Sequence, residues 1–183
     1  NGIQVGDDFV KILCRAARRD RVAHIRRSSV IALGTMFEGK GDSAHPEALK
    51  TLRQQFLKGK GNMSQNYSAI ALGKIGGETA FKSLQGVATK ERTQRGAYAT
   101  IGLAMLCDKL RDKKDDESAA SMRIRGLSTL RAVFKRCKNP QIKGGFAIAL
   151  GIARDSEAGP ILLEAMKKTQ TVGLRGYIAV ALG

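Results

Sequence analysis

The residues best suited to chemistry in this sequence are cations that recur at a fixed distance ahead of a repeated glycine. Arg26-Arg27 precede Gly34, Gln94-Arg95 precede Gly102, Lys143-Gly144 precede Gly151 and Arg175-Gly176 precede Gly183, always by eight and seven residues. Gln65-Asn66 holds the same place before Gly73, and Arg123 with Arg125 opens a comparable step at Arg125-Gly126. Equivalent positions of a repeat array stack in register, so such a set forms a ladder along one edge. Arg26, Arg27, Arg95, Arg123, Arg125, Lys143 and Arg175 are therefore the candidate residues for an anionic partner. They could meet successive phosphates of a nucleic acid, with salt-sensitive binding and little sequence preference. They could equally pair with Asp or Glu of the next repeat, at about 0–1 kcal/mol for each surface pair. Cations outnumber acids 32 to 16, so internal pairing cannot consume them all.

Other chemistry is sparse. There is no phosphate-binding G-x-x-x-x-G-K-[ST] loop, no G-x-S-x-G elbow, no H-E-x-x-H helix and no paired-cysteine metal site. His24 and His45 are far apart and suggest no site. Cys14, Cys107 and Cys137 lie among apolar residues at helical spacing and read as buried structural thiols. Gly39-Lys40-Gly41-Asp42 and Gly59-Lys60-Gly61-Asn62 could present backbone N–H groups to an anion, or simply turn the chain. Aromatics are only 5%, which argues against stacking of single-stranded bases. No cofactor, metal or small-molecule ligand is expected.

The elements that must position the ladder are helices. The glycines close a returning phrase: Val30-Ile31-Ala32-Leu33-Gly34, Ala69-Ile70-Ala71-Leu72-Gly73, Ala99-Thr100-Ile101-Gly102, Ala147-Ile148-Ala149-Leu150-Gly151 and Ala179-Val180-Ala181-Leu182-Gly183. Their spacing of roughly 30–50 residues brackets the period of two-helix solenoid units. Asn66 to Lys90 lies on Gly144 to Lys168 without a gap, so the likeness extends through the helix after the phrase. In the last copy Leu174, Tyr177, Ile178, Ala181 and Leu182 form one apolar stripe. A glycine inside a helix costs about 1 kcal/mol against alanine, so its recurrence implies close packing, a bend or an end cap.

Polar starts such as Asn139-Pro140 and Asp155-Ser156-Glu157 mark helix beginnings. The pattern predicts helices over 8–19, 22–38, 46–58, 63–76, 78–90, 92–112, 118–137, 140–154, 157–169 and 172–183. The charged stretch from Asp108 to Ser118 reads as a loop inside the array. Residues 1–183 are thus expected to be a single repeat domain, a piece of a longer protein, folded as an all-α, right-handed α-α superhelix of about five two-helix repeats.

The units resemble HEAT-like repeats of the phycobilisome-lyase type, best at Asn66-Tyr67-Ser68-Ala69-Ile70-Ala71-Leu72-Gly73-Lys74-Ile75-Gly76-Gly77-Glu78. The resemblance implies an armadillo-like helical scaffold and is weakest over 1–25 and 108–138. Scaffolds, bilin lyases, di-iron hydroxylases and nucleic-acid-binding proteins share such repeats, so the fold alone does not choose among them. Neither His24 nor His45 is followed by Glu, which excludes the hydroxylase ligand set in this chain. A DNA-glycosylase reading lacks an evident carboxylate site. The expected function is a non-catalytic scaffold binding a protein partner or the remainder of its own chain. Nucleic-acid binding by the ladder and bilin-lyase-like activity are the alternatives. The net charge of +16 suits any acidic partner. No membrane span or signal segment is read here, which leaves a cytoplasmic address only as the default.

Overall fold

Residues 6–113 and 115–183 of a computed structural model are described here. They form ten α-helices and one 3₁₀ turn, with no strand among the described residues. The helices are α1 Asp7–Arg19, α2 Ala23–Met36, α3 Pro46–Lys58, α4 Asn62–Ile75, α5 Gly77–Lys90, α6 Gln94–Leu110, α7 Glu117–Arg136, α8 Pro140–Ile152, α9 Ala158–Lys168 and α10 Val172–Leu182. This is the all-α, HEAT-like solenoid that the repeated phrase predicts. Ends differ by one or two residues where a local cap decides them. Thr93 accepts a bond from the Gly96 N–H and so starts α6 later than its pattern suggests. Gly76, at φ 79°, is where α4 stops and α5 begins. The loop expected over Asp108 to Ser118 runs between α6 and α7; Lys114 within it, and Asn1-Gly2-Ile3, lie outside the described residues.

Every phrase lies on an even-numbered helix, and those helices pack side by side in one row, α2 on α4, α4 on α6, α6 on α8 and α8 on α10. Why they can do so is visible at the glycines. A Cβ on Gly34 would stand 2.6 Å from the Ala71 Cβ, one on Gly73 would stand 2.7 Å from the Gly102 Cα, and one on Gly151 2.8 Å from the Ala181 Cα. Gly102 in turn faces the Ala69 carbonyl. Of the readings open to the recurrent glycine, close packing is the one the structure adopts. The even row is parallel: Gly144 meets the Tyr177 ring and, one phrase-length on, Gly151 meets Ala181.

The odd helices form a second, looser row, in which α1 packs on α3 and α5 on α7. Between helices adjacent in the chain, α1/α2, α3/α4 and α5/α6 pack more closely than α2/α3, α4/α5 and α6/α7, so a phrase helix leans more on the helix before it than on the one after. Phe56, Phe81, Phe134 and Phe146 fill the space between the rows, together with Leu33, Leu52, Leu72 and Leu84. In α10 only Leu174 and Ile178 of the expected apolar stripe are buried, while Tyr177 and Leu182 stay exposed.

Replacing Gly73 with Ala should force the α4–α6 seam apart and cost about 1–3 kcal/mol. Gly86 on α5 has nothing within 4 Å of an added Cβ, so Gly86→Ala should gain about 0.5–1 kcal/mol from helix propensity. Urea unfolding midpoints of the two variants should move in opposite directions.

Candidate anion-binding edge

A parallel row of even helices places all their N-termini, and the turns that lead into them, along one edge of the solenoid. The ladder residues start there, but their neighbours differ. Arg26 donates to the carbonyls of Asp20 at 2.7 Å and Arg21 at 3.0 Å, tying down the α1–α2 turn. Arg27 donates to the Ala23 carbonyl. Arg95 grips Glu91 through two guanidinium nitrogens and reaches the Leu57 carbonyl at 3.1 Å. That pairing holds Glu91 below the usual carboxylate range and raises Arg95. Lys143 sits 4.8 Å above the Phe134 ring, and Arg175 is exposed without an ion pair among the described residues. Arg123 and Arg125 belong to α7, in the odd row, so they do not continue the ladder. Arg125 instead lies 5.0 Å from the Phe81 ring and 3.4 Å from Glu78. Asn66, the polar rung, is buried with neither amide atom bonded.

The stronger concentration of positive charge is in the turns themselves. Arg19 and Arg21 flank the first turn, Lys58 and Lys60 the second, and Lys90 and Arg92 the third. Lys135, Arg136 and Lys138 surround the fourth, and Lys167 with Lys168 the fifth. All are exposed except Arg92, which donates to the Ala88 and Glu91 carbonyls. Only Asp20 and Glu91 bring acid into these turns, and both are occupied, Asp20 by the Val22 N–H and Glu91 by Arg95. The turn cations and the ladder meet in places. Lys60 lines a 360 Å³ cleft with Arg26 and Arg27, and Lys90 shares a 370 Å³ groove with Arg53, Lys82 and Arg95.

The opposite edge holds the acids. Asp7, Asp8, Glu47, Glu78 and Glu117 lie in the first turns of α1, α3, α5 and α7, where they face unpaired helix N–H groups. Glu38 is bonded by Lys109 at 2.7 Å and lies 3.4 Å from Lys74, and Lys109 holds it below its ordinary pKa. Arg154 reaches Asp108, and Arg131 spans Asp155 and Glu157. Here the Gly39-Lys40-Gly41-Asp42 loop supplies an anion instead of receiving one. The Asp42 carboxylate accepts from the N–H groups of Glu78 at 2.8 Å and Thr79 at 3.2 Å. Burial pushes the Asp42 carboxyl up, but those bonds outweigh it and hold it below the usual carboxylate range.

Counting backwards from the glycine does not reach the turn cations. Their signal stands one helix earlier: every odd helix ends on Lys or Arg. Such residues also complement the negative end of the helix dipole, so each alone looks like ordinary capping.

The remaining chemistry is quiet. All three cysteines are free and buried, and burial pushes the Cys107 thiol up to about 12. No group of three or more metal-ligating side chains occurs among the described residues, and no helix is long and apolar enough to cross a membrane.

No protein-family model and no curated protein sequence matches this chain. Among solved structures it is similar to the complex of CpcE and CpcF of phycocyanin lyase from Nostoc sp. PCC7120, with a TM-score of 0.72 and 16% identity. The match covers 96% of this chain and 99% of that one. What the two share is the fold.

Asp42→Ala should cost about 1 kcal/mol near neutral pH through loss of the α5 cap. A depressed folded pKa gives stability that is present above the unfolded value and lost as pH falls through the folded one. Wild type and variant should therefore converge in urea midpoint on going from about pH 7 to about pH 2. A thiol-specific chromogenic disulfide should find no reactive cysteine in the native protein and all three after unfolding.

Proposed function

We propose that this chain is a helical-repeat recognition subunit that binds another polypeptide, either a partner or further residues of its own chain, through the end formed by α9 and α10. The observation that carries this is an apolar face with no helix on it. Val172 is 83% exposed and Val180 71%, with Leu163 also open to solvent. Gly173 and Gly176 have nothing within 4 Å of an added Cβ, whereas the phrase glycines in α2, α4, α6 and α8 are each covered by a neighbouring helix of the row. A face with this relief suits a helix that brings a small residue to the seam, as Ala71 and Ala181 do within the array. The similar structure, a complex of two subunits, supports association as a mode of action for this architecture.

A second reading, a lyase subunit, is favoured by the near-complete overlap with a chain of a phycocyanin lyase complex. A 330 Å³ cleft lined by Ile75, Leu106, Leu110 and Met122, with Lys40, Lys109 and Lys113 balanced by Asp42, Glu78 and Asp116, is the place for a largely apolar ligand. Titration with an open-chain tetrapyrrole tests it by visible absorption. A spectrum unchanged by the protein, or equally changed by Met122→Arg, rejects the lyase reading.

A photo-reactive amino acid at position 180, introduced in the native host, should cross-link to one defined polypeptide segment at high yield. The same group at exposed Ser128 on α7 serves as control. Matching product patterns at the two positions would reject the α9/α10 face as a contact surface.

A further inference from the structure

We infer that the edge carrying the odd-to-even turns binds the phosphate backbone of a nucleic-acid duplex without reading its sequence. This surface adjoins the α9/α10 face only at the fifth turn and is tested at residues of the other turns, so either can fail without the other. Its first property is regularity. Five turns lie side by side because five parallel helices do, and packed helices stand about 8–10 Å apart. The row is thus about 32–40 Å long, the length of about ten to twelve base pairs at 3.4 Å each.

Its second property is uncompensated charge. Arg19, Arg21, Lys58, Lys60, Lys90 and Lys138 make no ion pair among the described residues, whereas the acids are held on the opposite edge or already bonded. Repulsion among these cations is not offset within the fold, and a polyanion would relieve it.

Residue type then separates nucleic acid from an acidic protein. Lysine predominates among the turn cations, with Lys58, Lys60, Lys90, Lys135, Lys138, Lys167 and Lys168 beside Arg19, Arg21, Arg92 and Arg136, and the turns contain no aromatic residue. Lysine is depleted in protein interfaces, whose binding energy concentrates in buried aromatics and arginines. Flexible ammonium groups on an exposed rim instead suit phosphates, where charge and counterion release supply the affinity. The lack of aromatics also removes the stacking platforms a single strand needs, which leaves the duplex.

The test is fluorescence anisotropy with a labelled, mixed-sequence DNA duplex of about twenty base pairs across a salt series. One phosphate per turn predicts a slope of log K against log salt of about −4.5, or a loss of about 500-fold between 50 and 200 mM. Lys60→Glu, Lys90→Glu and Lys138→Glu combined should weaken binding at least tenfold and make the slope shallower by about three. Lys40→Glu, Lys50→Glu and Lys113→Glu combined change net charge equally but lie off the edge, and should lose markedly less. Circular dichroism melting confirms that both variants are folded, and the neutral Lys→Gln versions of the edge set should show the same order of effects. Three results would overturn the inference: no binding at low salt, equal losses in the two charge-matched variants, or displacement of the duplex by poly-glutamate at equal charge. The last would assign the edge to an acidic protein.

Discussion

The contact on which this structure depends is the seam between successive even helices, where one phrase meets the next with almost no side chain between them. Gly73 lies against the Gly102 backbone and Gly34 against Ala71. At that approach each added methyl is a collision with backbone, which cannot rotate out of the way as a side-chain tip can. Each glycine costs the helix propensity, and the close fit offsets the loss by dispersion over many atom pairs. The seam also fixes the relative direction and register of the row. Had the even helices packed through large side chains, they could have slid or splayed, and no edge would be aligned.

Alignment turns a local habit of charge into a property of the whole molecule. The first four odd helices carry acid in the first turn, and every odd helix carries base in the last, as the dipole favours. None of the even helices has acid in its first turn. In an irregular helical bundle these preferences would scatter over the surface. In a two-row solenoid they add, giving one edge where acids such as Glu38 and Asp108 are met by Lys109 and Arg154, and another where most of the lysines, Lys58, Lys60, Lys90 and Lys138 among them, are exposed. The molecule is therefore polarised across its width, and net charge is a poor description of it.

Much of the architecture was legible in the phrase. Helix positions followed from the 3.6-residue period and from starts such as Asn139-Pro140 and Asp155-Ser156-Glu157, because those signals act through neighbours in the chain. The small differences sit at helix ends, where one cap bond decides a residue or two. The burial of Cys14, Cys107 and Cys137 was equally readable, since each falls on an apolar stripe. The ladder was less so. Position in the repeat correctly put Arg26, Arg95 and Lys143 near one edge, but it carried no information about whether a carbonyl, Glu91 or the Phe134 ring would be waiting there. Arg123 and Arg125 shared the Arg-Gly spelling yet belong to the other row, a distinction that depends on packing.

The sequence by itself determined the helices, their alternation and the places where two of them must touch, because a buried glycine at a fixed register has one economical use. Only the tertiary structure decided which cations are free. An ion pair forms between residues brought together from different repeats, and whether Asp42 meets the start of α5 or Lys109 meets Glu38 depends on how far each unit rotates on the last. Charge lists the groups that could bind, whereas the stacking of rows separates those already satisfied from those still facing solvent.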